Sequence, residues 1–504
     1  MSISFNNIPS TQRTPGSYVE VDNSRALQGL FPNPHKALII GQKLKTAEGP
    51  TKPSETLIAI TSDSLADGYF GKGSPLARMC NTFKAINPNT ELYAIAISDT
   101  GYTAKASGTM QTSIAISKNN FSCGGGGTFY LMINGTDVNV TMVSGWSTTD
   151  VNSAIQTKVN SMSQLPVVAS TNAASALNFI AVVSGLNGNY IDVRHNYYAH
   201  QSYPAAFSGD SVRWVSMANG AGAPDLGSAW TIIDNEQFHY IIQPYTDSAN
   251  LTEIEDELEN RFGPLEDKQG HGFTAYPGAQ ASCTTLGNAR NSPHNTIVGY
   301  NSSPHGPEEW AAALGAQAAY YLNQDPARPL QTLPLTGILP PPIDNRFTRT
   351  EREILLYDGI MTWYVDAGGR VLIERCITTY QTNAFGIVDP SYLDVNTLAT
   401  LAEIRYQFNA RMTTRFLSAR YKLADDGFPV QPGSYVVTPS VVKQEIVALF
   451  VLLQDNGLIE NLDDFKENLV VERDTSDRNR INALLPADCV NQFRIIAALL
   501  QFIL

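Results

Sequence analysis

The sequence predicts an α/β protein of several domains, an α+β multidomain arrangement, and three observations carry that prediction. From Lys36 onward short apolar runs alternate with helical patterns, as in a partly parallel sheet. From about Tyr102 to Tyr198 the chain turns to Thr, Ser, Asn and Gly with few charges, which marks a β-rich insertion. The chain closes on an apolar run, Phe493-Arg494-Ile495-Ile496-Ala497-Ala498-Leu499-Leu500-Gln501-Phe502-Ile503-Leu504.

Residues 1–16 are polar and proline-bearing and read as an extended arm. Tyr18-Val19-Glu20-Val21-Asp22 alternates like a short strand, with no hairpin partner nearby. Its two readings are an edge strand of its own domain and a strand given to a neighbour. Ala37–Gly41, Thr56–Ile60 and Leu92–Ile97 read as buried strands, and Pro75–Phe83 as a helix with proline at its first position. In the insertion, Thr128–Ile133 and Val138–Val143 flank Asn134-Gly135, a strong hairpin signal. Asp150–Asn160 reads as a helix there, and Ala181–Val183 and Tyr190–Val193 as later strands.

The core pattern resumes near Ser211, with Phe238–Ile242 a strand and Leu251–Arg261 a helix whose Glu253, Glu255, Asp256, Glu257 and Glu259 read as a solvated face. Glu308–Leu322 is an alanine-rich helix, and the prolines from Pro326 to Pro342 read as a semi-rigid domain boundary. Val371–Ile377 is a strand, Asn396–Tyr421 a long helix, and another helix opens at Thr438-Pro439 and stops at Gly457. The division expected from this is an arm 1–24, an α/β core 25–101 with 200–345, an insert 102–199, a C-terminal domain 346–480 and an arm 481–504.

Composition narrows the function. The net charge of −13 argues against direct nucleic-acid binding, and a charged fraction of 16% suits a subunit covered on several sides. Five scattered cysteines, Cys80, Cys123, Cys283, Cys376 and Cys489, read as reduced thiols. The first residues lack the pattern of a signal peptide, and no run is long enough to span a bilayer, so a soluble, unexported protein with no membrane insertion is expected.

No reaction centre emerges. Gly124–Gly127 has no following Lys-Ser/Thr, and Gly68-Tyr69-Phe70-Gly71-Lys72-Gly73-Ser74 lacks phosphate-loop spacing and reads as a helix cap. His271, His294 and His305 sit at no zinc-site spacing, so no metal or cofactor is expected. Arg411 and Arg415 lie one helical turn apart with Lys422 two turns further, a candidate basic stripe for an acidic partner. The apolar end carries side chains on both parities of a strand, and neither face would meet water cheaply. It must lie in a core, its own or a neighbour's.

Thr14–Glu20, Phe70–Met79, Asp325–Gln331, Tyr392–Val395, Leu469–Asp474, Asp477–Arg480 and the stretch from Leu485-Pro486 through Val490-Asn491-Gln492 to Phe502-Ile503-Leu504 form an ordered set of motifs. Together they resemble contractile-tail sheath proteins of the Mu-like branch. The resemblance implies a subtilisin-like α/β core without catalytic residues and a C-terminal domain facing a tail tube. It implies stacked hexameric rings that contract to drive the tube through a host envelope, with baseplate and tail terminator as further partners. It places the protein in the virion tail after assembly in the host cytoplasm. It also implies strands exchanged between subunits: Tyr18, Val19, Glu20, Val21 and Asp22 at one end, and Phe493, Ile495, Ala497, Leu499, Phe502 and Ile503 at the other. The competing readings are a virion-borne hydrolase or depolymerase using the insert, and a tail-tube or baseplate component.

Overall fold

The computed structural model describes residues 13–19, 29–44, 55–97, 104–111, 126–171, 177–204, 213–429 and 433–503. The chain forms two compact units, one of residues 34–402 with 491–504 and one of residues 1–33 with 403–490.

The larger unit opens with β1 (Lys36–Gln42), β2 (Leu57–Ile60), α1 (Asp63–Phe70), α2 (Pro75–Ile86) and β3 (Glu91–Ile97). An insert follows: β4 (Ser107–Gln111), β5 (Gly127–Ile133), β6 (Thr136–Met142), α3 (Thr148–Ser161), β7 (Val167–Thr171), β8 (Leu177–Ala181), β9 (Val193–His195) and β10 (Arg213–Ala218). The core resumes with α4 (Gly227–Ile233), β11 (Tyr240–Ile242), α5 (Ser248–Phe262), β12 (His271–Pro277), α6 (Gln280–Asn288), β13 (Asn295–Tyr300) and α7 (Pro307–Gln324). Then come α8 (Arg349–Tyr357), β14 (Thr362–Val365), β15 (Val371–Arg375) and α9 (Val395–Met412), within which the unit boundary falls.

The central sheet runs β13-β12-β11-β1-β3-β2, parallel except for β2. Period-two alternation splits β1 between two cores. Ala37 and Ile39 face Leu76 and Phe83 of α2 and Trp310 of α7, while Leu38 and Ile40 face Trp230 of α4 and Ile254 and Leu258 of α5. The alanines of α7 bring it close to the sheet; a Cβ on its Gly315 would lie 2.4 Å from Ile242. Ser74 caps α2, its hydroxyl accepting from Ala77 N–H, as the proline at the next position suggests.

Two domain boundaries differ from expectation. The insert extends past residue 199, because β10 pairs with β4 and Ala104 bridges to Ala221. The proline-dense connector is core rather than boundary. Its prolines hold the backbone extended while Leu330, Leu335 and Ile338 bury between them, and Thr332 and Leu335 N–H bond to Ile373 and Val371 carbonyls at 2.7 and 2.9 Å. Residues beyond it, including Met361, Trp363 and Ile373, pack in the same core. The acidic face of α5 is partly interior: Asp256 and Glu259 are exposed, but Glu255 pairs with Arg290 at 3.4 Å.

In the insert, Phe129, Leu131 and Ile133 of β5 and Val138, Val140 and Met142 of β6 share a core with Val151, Ile155 and Val159 of α3. Asn134 and Gly135 take φ values of 47° and 74°, the left-handed turn that joins the two strands.

The smaller unit contains β16 (Lys422–Leu423), β17 (Val436–Val437), α10 (Pro439–Asp455), β18 (Ile459–Glu460), α11 (Leu462–Asn468), β19 (Val470–Arg473), β20 (Ile481–Leu484) and β21 (Asp488–Cys489). Ile446, Leu449, Phe450 and Leu453 of α10 are buried, with Phe450 stacked on Phe465 at 3.7 Å. The helix expected over Asn396–Tyr421 stays α-helical only to Met412 and then widens into π turns over Thr413–Leu417. Lys422 therefore lies on β16, off the face that the expected helix would have shared with Arg411 and Arg415.

Candidate assembly surfaces

The C-terminal run has no place in its own core. Residues 491–503 form no helix or strand, and Phe493, Ile495, Ile496, Ala497, Leu499, Leu500, Phe502 and Ile503 are exposed, Leu499 at 85%. Arg494 is the exception. Its side chain is 11% exposed and pairs with Asp394 at 2.8 Å, and Asp394 also takes a two-pronged contact from Arg375 at 3.1 and 2.8 Å. Gln331 donates to the Phe493 carbonyl at 3.3 Å. Burial lowers the Arg494 pKa and Asp394 opposes that shift.

At the other end, Tyr18 and Val19 are exposed and belong to no strand, while Glu20, Val21 and Asp22 lie outside the described residues. The chain after the arm is held on the second half of α9: Phe31 N–H donates to Gln407 at 2.8 Å, Asn33 to Glu403 at 2.8 Å, and Tyr406 to the Pro32 carbonyl at 2.8 Å.

The smaller unit carries a short antiparallel hairpin, β19 paired with β20 and, among the described residues, with no other strand. Val470 and Leu484, paired at its end, are exposed. Beside it an apolar hollow of about 330 Å³ is lined by residues including Phe408, Phe416, Tyr421, Val437, Ile446 and Ile481. Part of the candidate basic stripe is paired: Glu445 of α10 meets Arg411 at 2.6 Å and Arg415 at 3.7 Å. Arg411 is mostly covered, and Arg415 is half exposed.

A buried ionic cluster joins insert to core. Arg78 of α2 reaches Glu309 at 2.5 Å and Glu308 at 3.9 Å, both in the first turn of α7. Asn134 of the hairpin turn donates to Glu309 at 2.8 Å and accepts Gly306 N–H at 3.0 Å. Burial pushes Glu308 up to about 7, against the pull of Arg78. His305 lies under the turn, its pKa lowered by burial, and its Nδ1 accepts Leu339 N–H at 3.1 Å. His271 bonds Thr296 at 2.8 Å, and His294 meets Glu259 at 3.1 Å, so the three histidines serve separate local contacts. Among the described residues no group of side chains has metal-binding geometry, and no helix is long and apolar enough to cross a membrane. Cys80, Cys283 and Cys376 are buried free thiols, Cys489 is a half-buried one, and Cys123 lies outside the described residues.

An apolar terminus left outside its own core, with an unextended hairpin elsewhere in the chain, defines an assembly subunit. Residues 219–379 match the phage tail sheath protein central domain, and 388–503 the phage tail sheath C-terminal domain. A "Mu-like prophage FluMu tail sheath protein" from Haemophilus influenzae is 39% identical over 504 residues, 100% of both chains. The chain belongs to the phage tail sheath protein family; it is a structural subunit of a contractile phage tail sheath, not an enzyme. A sheath tail protein from Desulfitobacterium hafniense is 13% identical, with a TM-score of 0.47 over 94% of this chain and 100% of its own. The anti-feeding prophage helical sheath in its contracted state is 10% identical, with a TM-score of 0.49 over 97% and 99%.

Proposed function

We propose that the chain polymerises as stacked hexameric rings around a tail tube, linked by exchanged terminal strands, and shortens to drive the tube through the host envelope for genome delivery. The observation that carries this reading is the exposed apolar run from Ile495. As a strand, Ile495, Ala497, Leu499 and Ile503 face one way and Ile496, Ala498, Leu500 and Phe502 the other. Both faces need cover, which a neighbour supplies by accepting the strand into a sheet. The hairpin β19–β20 suits that role: its outer edges offer backbone hydrogen bonds, and Val470 and Leu484 offer apolar contacts. Tyr18–Asp22 would add a second strand from another neighbour.

Flexible links of this kind let rigid subunits rotate and slide without parting. The stored energy then lies in different contacts between rigid bodies in two lattices, with no nucleotide consumed. Arg415 and Lys422 are exposed basic residues suited to an acidic tube, with Arg411 held back by Glu445. Baseplate and terminator would cap the polymer, which would be built in the host cytoplasm. A subtilisin-like fold for the core, without catalytic residues, is in keeping with its mostly parallel sheet with helices on both faces. Electron microscopy of the purified chain tests the reading: striated hollow tubes are expected, and discrete closed oligomers at all concentrations would refute it.

A further inference from the structure

The terminal arm is not loose from its beginning. At the end of the smaller unit's chain Val490 N–H bonds to the Leu458 carbonyl at 3.2 Å. Four residues later Arg494 is held on the larger unit by several partners at once. Asp394 pairs with it at 2.8 Å, Gln331 Oε1 and Asn396 Oδ1 accept from it at 3.3 and 3.4 Å, and Gln331 Nε2 grips the preceding carbonyl at 3.3 Å. Asp394 is itself fixed by Arg375, and Asn396 by donating to the Pro326 and Arg328 carbonyls at 2.9 and 2.7 Å. The anchor is thus rigid before the arm meets it. Immediately beyond, Ile495 is 81% exposed.

We propose that Arg494 is the fixed pivot of the arm: it stays on its own core, and only the segment from Ile495 onward is given to a neighbour. This rests on the strand-exchange reading and adds to it the point of departure. The consequence is geometric. The ten residues Ile495–Leu504 span at most about 33–36 Å when extended, so the accepting edge must stay within that radius of Arg494 in every lattice the sheath adopts. A covered guanidinium paired with carboxylate suits a pivot, because releasing it would leave Asp394 short of a partner in a largely buried place. Without the pivot the mobile link would begin before Ile495 and lengthen by about 3.3–3.6 Å for each residue released.

Trypsin reads the pivot directly, since it cleaves after arginine and needs the side chain free. On dispersed subunits, cleavage between Arg494 and Ile495 should be at least tenfold slower than cleavage after Arg478, whose side chain is 74% exposed. Asp394→Asn should raise the Arg494 rate at least tenfold relative to that internal clock. Gln331→Ala, which leaves the Arg375 contact intact, should raise it in the same direction and covers the case of a misfolded Asp394→Asn. Equal wild-type rates at the two sites, or no change in Gln331→Ala and Asp394→Asn, would overturn the pivot. In assembled sheaths, Arg494→Ala should still polymerise but spread the ring-to-ring spacing at least twofold. Wild-type spacing would contradict the proposal, and so would loss of polymerisation by a folded Arg494→Ala, because it would place Arg494 in the neighbour's site. The protease result on dispersed subunits does not depend on strand exchange, so failure of that reading and failure of the pivot are told apart.

Discussion

Glu308 and Gly135 show how single residues tie the insert to the core. Burial lifts the Glu308 pKa from the ordinary 4.5 to about 7, so the folded state holds that proton more tightly than the unfolded chain. Its contribution to stability is full below about pH 4.5 and is lost as pH rises towards 7, on the order of 3 kcal/mol in all. Glu308→Gln should therefore flatten the fall in melting temperature between pH 5 and 8, and an unchanged slope would exclude Glu308 as its source. Gly135 has φ of 74°, and a Cβ there would sit 2.1 Å from His305 Nε2. Gly135→Val should cost more than about 2 kcal/mol in denaturant unfolding, through clash and backbone strain together; a loss under about 0.5 kcal/mol would mean the turn undocks freely. The turn itself was legible from Asn134-Gly135, but its docking on α7 was not, because the partners Arg78, His305 and Glu309 are distant in sequence. The acidic partner of the basic pair is hidden from the sequence for the same reason. Spacing placed Arg411 and Arg415 one turn apart, while the carboxylate that claims both, Glu445, lies on another helix.

At the scale of elements, buried parallel strands and helix starts were readable because burial on both faces and capping leave local marks. Ser74-Pro75 opens α2 with the Ser74 hydroxyl as cap, and Pro439 opens α10, where Thr438 occupies the cap position without a side-chain cap bond. The end of α9 was not readable. The widening over Thr413–Leu417 involves no glycine or proline, so no local breaker announces it. The connector misled in the opposite sense, since prolines mark extended backbone whether it bridges domains or lies against a core. The insert supplies the prediction at this scale. It has its own apolar core, and its contacts with the α/β core include the hairpin turn, Gln42 donating to the Ser184 carbonyl at 2.8 Å and Asn187 to the Pro244 carbonyl at 3.1 Å. Replacing residues 104–221 by a short Gly-Ser linker should lower the melting temperature, because Arg78 and Glu309 lose Asn134, yet still permit tubes to form. A folded but non-assembling variant would place the insert in the lattice.

At the scale of the whole molecule, a low charged fraction and an unspent apolar terminus point to assembly on sequence grounds alone. The fold supports this by leaving that terminus outside, fastened at Arg494 and exposed from Ile495. What the sequence could not convey is which edge would receive such a strand, because a pairing between two chains leaves no pattern in one. Removal of Ile495–Leu504 tests strand exchange, with assembly followed by sedimentation and electron microscopy and folding by thermal melting. The shortened subunit should melt at the wild-type temperature and stay dispersed at concentrations where the full chain forms tubes. Full-length striated tubes from the shortened chain would contradict it.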